Sequence, residues 1–517
     1  MTMTGRDHTP VTTLGSEKQN ALIQAVWELA QQNSSTLTTF RIDKSFARPS
    51  LHTINPAAPP TEAMYNTIRN LSNLLELEII DDKADFDRVL RMASPQLKYL
   101  CAPGWIQLRG TDGQLLHETF TSVRTVELFQ ETDLRAVFSL LRYLPNLESL
   151  LLTGGFNQEL FQNDQLEAME ARTRMDNTPN RSLRQLTLYG IQFMDTRIMT
   201  TVFPWIPELR EFSCDELCLD MSEALVRHCQ HLEVVCELDT FGGDYETRSE
   251  RRGFDIVMPL LKGCPSLRVL DTVAQRIQGD SFIGYEIVCL ERLETFRCQI
   301  GGMCRLDEAI SRVLNLTLTG DSDGDTEEQG GGGQGIGSVA SRADKERGLF
   351  DEIRRNEERY RKVYKQLSKM TKLRVLELGQ EYRAEPDTFG SSQSALNGMS
   401  SDFDEDEDDD YVDYNWYRPP IEDTLDLTLA SGLNQLETLK NLEVFGFEGV
   451  DHRMEKVEMD WMAAKWPKLK VMRGIHVDIL PNVEPDTKRT ELREYMQMLR
   501  PEVVHETLYK RRRVFSR

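Results

Sequence analysis

Residues 260–272, LLKGCPSLRVLDT, end a helix and begin a strand, and this junction decides the fold. Leu260 and Leu261 complete an apolar helical face. Gly263 suits the left-handed conformation that ends many helices, and Pro265 prevents the helix from continuing. The sequence therefore predicts a helix that stops at Gly263 and a chain that turns directly into an extended segment.

The strand that follows has the spacing L-x-x-L-x-L, carried here by Leu267, Leu270 and Thr272. Its last three positions alternate inward, outward and inward, as an extended chain requires. Related phrases recur as LPNLESLLL at Leu144, IPELREFSC at Ile206, HLEVVCE at His231, LERLETFRC at Leu290, KMTKLRVLEL at Lys369, LKNLEVFGF at Leu439 and WPKLKVMRG at Trp466. Because one such unit cannot bury its apolar face alone, we expect the copies to stack side by side.

The distance between successive copies identifies the class of repeat. First leucines lie 23 residues apart at Leu74 and Leu97, and 27 apart at Leu442 and Leu469. These spacings fall within the roughly 20–29 residues of a leucine-rich repeat, whereas helical repeats need longer units. The sequence therefore predicts an α/β leucine-rich-repeat solenoid, curved, with parallel strands on its concave face and helices on its convex face.

Two long gaps between copies interrupt the predicted solenoid. One is rich in glycine and the other contains the carboxylate run SSDFDEDEDDDYVDYNWY, which begins at Ser400. Both compositions favour solvated, flexible chain. The predicted organisation is a disordered tail at 1–15, repeats at 16–318, a Gly-rich insertion at 319–346, a repeat at 347–378, an acidic insertion at 379–423, repeats at 424–475 and a C-terminal tail with a capping helix at 476–517. The first block of repeats ends in a predicted strand at Val313, Leu316 and Leu318.

The net charge of −23 is concentrated in the two insertions. Residues 384–417 hold eleven acidic residues and no Lys or Arg, and residues 321–341 hold five and none. The rest of the chain is close to balanced, so we expect no nucleic-acid partner. The acidic insertion is either a plain solvated segment or a docking segment for a basic partner, with Phe403, Tyr411 and Trp416 among its carboxylates.

The chain contains neither a run of about 18 apolar residues nor the apolar core of a secretory signal at its start. We therefore expect an intracellular protein without a membrane partner, in the cytoplasm or the nucleus. The nine cysteines have no disulfide spacing. One group, Cys214, Cys218, His228, Cys229, His231 and Cys236, offers zinc-type ligands, but the repeat explains each cysteine separately as a core or strand residue. The repeat interpretation is favoured over zinc.

The sequence contains no complete motif of a catalytic, phosphate-binding or calcium site. The series Asp321, Asp323, Asp325 begins like a calcium loop, but Thr326 and Gly332 replace the required Gly and Glu. The Gly-rich run lacks the GK[ST] ending of a phosphate loop. We therefore predict a non-catalytic protein with no cofactor and no metal.

The concave face is the predicted binding surface. The position just before the end of each strand should point into it, and a mixture of charged and small residues occupies that position along the chain. Such a wall suits a protein or peptide better than a polyanion. The preferred partner-binding residues are Glu127, Asp271, Arg297, Glu377 and Arg473.

Between Cys264 and Pro501 the chain resembles a known family. The phrases CPSLRVLD, VCLERLETFRCQI, VYKQLSKMTKLRVLELG, LKNLEVFGFEGVDH, WPKLKVMRG and ELREYMQMLRP are similar to those of the F-box and leucine-rich-repeat proteins of filamentous fungi. The resemblance implies a substrate receptor, in which an F-box joins a cullin-type (SCF-like) ubiquitin ligase and the repeats select the protein to be marked. An F-box, with its L-P-x-E-I-L-like opening, is not visible here. The F-box either lies upstream of Met1 or is not used by this member of the family. The alternative function is a stand-alone leucine-rich-repeat scaffold or regulator without a ligase.

Overall fold

The structure is a computed structural model. It describes residues 25–43, 62–80, 86–103, 119–129, 141, 143–154, 179–189, 196–238, 255–303, 342–379, 424–448, 450, 452–475 and 487–506. The chain divides into two compact units, of which unit 1 comprises Met1–Thr272 with Ile287–Arg292, and unit 2 comprises Val273–Glu286 with Leu293–Arg517. Both units repeat one pattern, a short parallel strand and the segment that leads to the next strand.

Unit 1 is a row of parallel strands in chain order. Its described strands are β1 (Thr39–Asp43), β2 (Glu76–Ile80), β3 (Tyr99–Pro103), β4 (Thr125–Phe129), β5 (Ser149–Thr153), β6 (Gln185–Tyr189), β7 (Glu211–Cys214), β8 (Val234–Glu237) and the first residues of β9 (Val269–Gln278). Each strand pairs in parallel with the next. The predicted α/β leucine-rich-repeat solenoid is confirmed by this order and register.

Alternate residues of each strand form the core of unit 1. Leu150, Leu186 and Leu270 are fully buried, as the L-x-x-L-x-L pattern predicts. The helical segments lie on the buried side, as the edge-to-face contact of Phe203 with Phe212 of β7 illustrates (5.5 Å between ring centroids). These segments are residues 25–32, Glu62–Asn70, Phe86–Met92, Thr196–Val202, Leu219–His228 and Met258–Gly263, with a 3₁₀ turn at Phe203–Trp205.

Unit 2 repeats the arrangement. Its strands are β10 (Thr295–Gly301), β11 (Val375–Glu377), β12 (Val444–Gly446), β13 (Val471–Arg473) and β14 (Val504–Glu506), each parallel to the next. The strands after β10 are only three residues long. The helical segments are Gly279–Gly284, Arg342–Leu367, Leu433–Thr438 (3₁₀), Lys456–Lys465 and Thr487–Leu499. The predicted core residue Leu376 is fully buried. The Trp466 ring packs against Phe445 (5.0 Å between centroids), and its indole N–H donates to the Leu436 carbonyl at 3.0 Å.

The predicted strand at 313–318 falls between β10 and β11 in the chain. Residues of that stretch lie outside the described part of the chain, but β10 and β11 pair directly, with Arg297 opposite Glu377. The backbone N–H groups of Arg374 and Val375 both donate to the Glu294 carbonyl, at 2.8 and 3.0 Å. β10 and β11 are therefore neighbours in the sheet, and the predicted strand at 313–318 stays a prediction.

The C-terminal segment adds a strand that the sequence pattern does not reveal. The predicted capping helix is present at Thr487–Leu499, and β14 then pairs with β13. His505 takes the register position of Met472 on β13, and this copy of the repeat has one residue fewer between its turn and its strand. A repeat without its central leucine cannot be recognised from leucine spacing.

Three predicted segments fall mostly outside the described residues. These are the tail at 1–15, the Gly-rich stretch as far as residue 341 and the acidic insertion after Gly379. The helix that follows the Gly-rich stretch begins at Arg342, a few residues earlier than predicted, and buries Tyr360, Val363 and Leu367 as expected. Within the described ranges, no helix combines the length and the apolar character needed to cross a bilayer.

Candidate protein interface

The face of the unit 1 sheet opposite its helices carries side chains in regular rows, which we call the open face. The middle row runs Arg41, Glu78, Cys101, Glu127, Leu151, Thr187, Ser213, Cys236 and Asp271, in Cα register from strand to strand. Cys101 is buried, Arg41 is exposed and the others are half-buried. Because the strands are parallel, consecutive members of the row lie about 4.8 Å apart.

Charge on the open face is almost entirely negative. Strands β2 to β8 and residues 269–271 of β9 contain no Lys or Arg. Among side chains that the structure describes, the carboxylates of this face are Glu76, Glu78, Glu127, Glu211 and Asp271. Arg41 at the β1 end forms an ion pair with Glu78 (3.2 Å). The strand residues of the open face therefore carry an excess of carboxylates. Exposed cations lie at the N-terminal edge of the same strands, at Lys98, Arg124, Arg184, Arg210 and Arg268.

At the β2–β4 end of the open face, nearby carboxylates contribute to the raised pKa values of two side chains. Burial first, and then the carboxylates of Glu127 and Glu78 on either side, raise the pKa of the Cys101 thiol to about 12. Partial burial also raises the pKa of Tyr99, whose hydroxyl interacts with Cys101 and hydrogen-bonds to Glu127. Both groups stay neutral at physiological pH and leave the carboxylates as the charge of this region.

Uncharged and apolar side chains occupy the rest of the open face. Phe129, Thr153 and Tyr189 form a further row towards the strand ends, and Tyr189 is 41% exposed. Leu151 is half-buried in the middle row. Aromatic residues with exposed faces are common anchors in protein interfaces. Two of the predicted contact residues, Glu127 and Asp271, lie in the middle row of this face and are partly accessible.

The same row position in unit 2 has a different environment. Arg297 (5% exposed), Glu377 (2%) and Arg473 (5%) are buried. One Glu377 oxygen lies 3.2 Å from Nε of Arg297, and the other accepts a hydrogen bond from Arg473. Arg473 also donates to Glu506 on β14 at 3.2 Å. These four residues form an alternating line of charges, which we call the buried charge row.

Gly446 allows the buried charge row to cross β12. It lies between Glu377 and Arg473 in the strand register and has no side chain to separate them. A Cβ atom at this position would lie 2.6 Å from Cγ of Glu377. The Glu377 side chain therefore extends over Gly446 and reaches Arg473 two strands away, a distance of about 10 Å between backbones.

Arg297, Glu377 and Arg473 were expected to contact a partner from an accessible wall. Their predicted row is correct, but their accessibility is not, because they neutralise one another and are buried. A desolvated charge needs such a partner. The sequence signals that were missed are Gly446 within the row and Glu506 in a strand without leucine. The binding role of all five predicted residues remains a prediction.

A second polar feature of unit 2 lies at the N-terminal edge of its strands. Glu443 accepts hydrogen bonds from Arg374 (2.7 Å) and Lys470 (2.8 Å), and Lys468 donates to Asn441 at 2.7 Å. The hydrogen bonds from Arg374 and then Lys470 lower the pKa of Glu443 to about 2. The groove here has a volume of about 330 Å³ and is lined by Glu294, Lys372, Arg374, Asn441, Glu443 and Lys468.

The cysteines of the Cys/His group take the positions expected of repeat residues. Cys214 and Cys229 are buried in the core, and Cys236 lies on the open face. Burial raises the pKa of Cys229 to about 12, which disfavours the thiolate that binds zinc. Across the described ranges, no group of three or more His, Cys, Asp or Glu side chains is arranged to hold a metal ion.

No protein-family profile matches the chain, and no curated protein sequence matches it. Among solved structures, the chain is similar to an internalin from Listeria monocytogenes, with 11% identity, a TM-score of 0.35 and 88% of each chain covered. It is also similar to a leucine-rich-repeat protein from Leptospira interrogans, with 10% identity, a TM-score of 0.31, and 93% of this chain and 98% of that chain covered. The leucine-rich-repeat fold is shown by the strand register and the buried leucines of this chain itself.

Proposed function

We propose that this protein is a non-catalytic binding module that holds another protein on the open face of unit 1. The observation that carries the proposal is the row of side chains from Glu78 to Asp271, in register on eight neighbouring strands and partly accessible except at Cys101. A rigid sheet holds these side chains at fixed spacing. The ordering cost of binding is therefore small compared with that of a flexible loop.

Within that function, we propose that the module selects substrates for a cullin-type ubiquitin ligase in the cytoplasm or the nucleus. The support is the resemblance of residues 264–501 to the F-box and leucine-rich-repeat proteins of filamentous fungi. In such a receptor the repeats bind the substrate and a separate segment binds the ligase. The ligase role therefore depends on contacts outside the open face.

Affinity capture tests the two parts separately. The chain, extended by any coding sequence upstream of Met1, is tagged and expressed in a filamentous fungus, and the captured proteins are cross-linked and identified. We expect a cullin-type ligase core together with proteins cross-linked to β2–β9. A partner cross-linked to these strands without any ligase core would support the stand-alone scaffold. Cross-links confined to other surfaces would contradict binding by the open face.

A further inference from the structure

The distribution of charge on the open face indicates what kind of partner it binds. Four of the eight neighbouring strands, β2, β4, β7 and β9, place described carboxylates on this face. Strands β2 to β8 and residues 269–271 contain no Lys or Arg, and the middle row has its one described guanidinium at Arg41 of β1. Glu211 is exposed, and no contact with a cationic side chain is found for it among the described residues. Charge that is left unneutralised on a binding face favours a partner of opposite sign.

The uncharged side chains of the open face further restrict the kind of partner that fits it. Tyr99 and Phe129 are half-buried and Tyr189 is exposed, so their ring faces can receive the methylene stems and cationic heads of Lys or Arg. Thr187, Ser213 and Cys236 are small and leave room for a backbone to approach the middle of the row. A partner with alternating basic and apolar side chains matches this surface.

The length of the row sets the length of the bound segment. Glu78 on β2 and Asp271 on β9 are separated by seven strand spacings, or about 34 Å along the sheet at 4.8 Å each. An extended chain rises about 3.3 Å per residue, so about ten residues span the row. On the basis of the function proposed above, we infer that the open face of unit 1 binds an extended, Lys/Arg-rich segment of about ten residues with interspersed apolar residues.

Peptide binding to the full chain tests the inference. The probe is a fluorescein-labelled peptide in which Lys and Arg alternate with Val and Leu over ten residues, and a second peptide has Glu in place of every basic residue. Fluorescence anisotropy measures Kd at 50 and 300 mM salt. We expect the basic peptide to bind at least tenfold more tightly than the acidic one, and its affinity to fall at the higher salt concentration because exposed charges are screened. Equal binding of the two peptides would overturn the inference.

Matched charge reversals separate the open face from the general negative charge of the protein. The double variant Glu127→Lys/Glu211→Lys changes two positions of the face, and the control Glu223→Lys/Glu291→Lys changes two exposed carboxylates of unit 1 outside its strands. We expect at least a tenfold loss of basic-peptide affinity for the first and less than a twofold change for the second, with circular dichroism unchanged in both. Comparable losses in both variants would refute the assignment of the peptide to this face.

Failure of this inference and failure of the proposed function are distinguishable. A captured protein that cross-links to β2–β9 but binds equally well to Glu127→Lys/Glu211→Lys would leave the binding module intact and refute the basic partner. Cross-links confined to other surfaces would contradict the module itself, whatever the peptides do.

Discussion

The middle row of unit 1 and the buried charge row of unit 2 occupy the same position of the repeat and behave differently. In unit 1, Glu127 is half-buried and hydrogen-bonds to Tyr99. In unit 2, Glu377 is 2% exposed and lies between Arg297 and Arg473. A repeat position therefore determines which way a side chain points, whereas the residues on the neighbouring strands determine whether that side chain is available to a partner.

The largest expected effect is the loss of the central carboxylate of the buried charge row. Glu377→Ala leaves Arg297 and Arg473 buried without their shared counter-charge, and breaking a buried pair in this way costs about 3–5 kcal/mol. Hydrogen exchange of peptides from β11 to β13, compared with wild type, measures the loss within unit 2. For Glu127→Ala in unit 1 we expect a change below about 1 kcal/mol, because that carboxylate is partly solvated.

An apolar replacement of the whole cluster is the control for Glu377→Ala. In Arg297→Met/Glu377→Leu/Arg473→Met no buried charge is left unpaired, since Glu506 is 39% exposed at its side chain. Replacing buried ion pairs by apolar residues of similar size is often neutral or stabilising. We therefore expect the triple variant to recover most of the stability lost in Glu377→Ala. If it is as unstable as the single variant, the loss comes from packing and not from charge.

The next effect concerns the gap through which Glu377 reaches Arg473. Gly446→Ala places a Cβ 2.6 Å from Cγ of Glu377 and must displace that side chain, at a cost of about 1–3 kcal/mol. The same measurement of hydrogen exchange applies. In the background of Glu377→Ala only the Cβ of residue 377 remains, 3.2 Å from the added Cβ, so we expect Gly446→Ala to cost much less there. Equal costs in both backgrounds would show that Gly446 has no part in the charge row.

Most of the fold could be predicted from the sequence, and the chemistry of the rows only in part. Leucine spacing identified the strands and placed Glu377 and Arg473 in one row, because register follows from local pattern. The ion pair itself joins residues 96 positions apart across a strand that contributes only Gly446. No local pattern encodes that contact. The strand β14 was missed for a related reason, since His505 stands where a leucine marks other repeats.

Thiol reactivity tests whether the open face is negative in solution. With its pKa at about 12, Cys101 should react with iodoacetamide at pH 8 at least about a hundredfold more slowly than an ordinary cysteine. Removing one neighbouring carboxylate by Glu127→Gln should speed the reaction several-fold, although burial remains the larger cause. Cys229 also has a pKa of about 12, from burial and Cys264, and is the control. Equal acceleration at both cysteines would indicate loosening of the fold.

The smallest effect lies at the solvent-exposed edge of unit 2, where Glu443 bridges Arg374 and Lys470. Their hydrogen bonds hold its pKa at about 2 in the folded chain, against an ordinary value of 4.5. A lowered folded pKa stabilises the fold above the unfolded value, and this contribution is lost as pH falls from about 4.5 to about 2. Both cationic side chains are more than half exposed, so solvent limits the gain to about 0.5–1 kcal/mol.

Urea unfolding of wild type and Glu443→Gln between pH 7 and pH 2 measures this contribution. We expect the wild type to be more stable at pH 7 and the difference to become small near pH 2, where the carboxylate is half protonated in the folded chain and almost fully protonated in the unfolded chain. Added salt should reduce the difference at pH 7, because exposed pairs are screened. Buried pairs are screened much less, so the stability lost in Glu377→Ala should stay nearly constant in the same salt series. If salt instead reduces both losses equally, the buried charge row is solvated. Glu377 would then not differ from Glu443 in the way that its burial indicates.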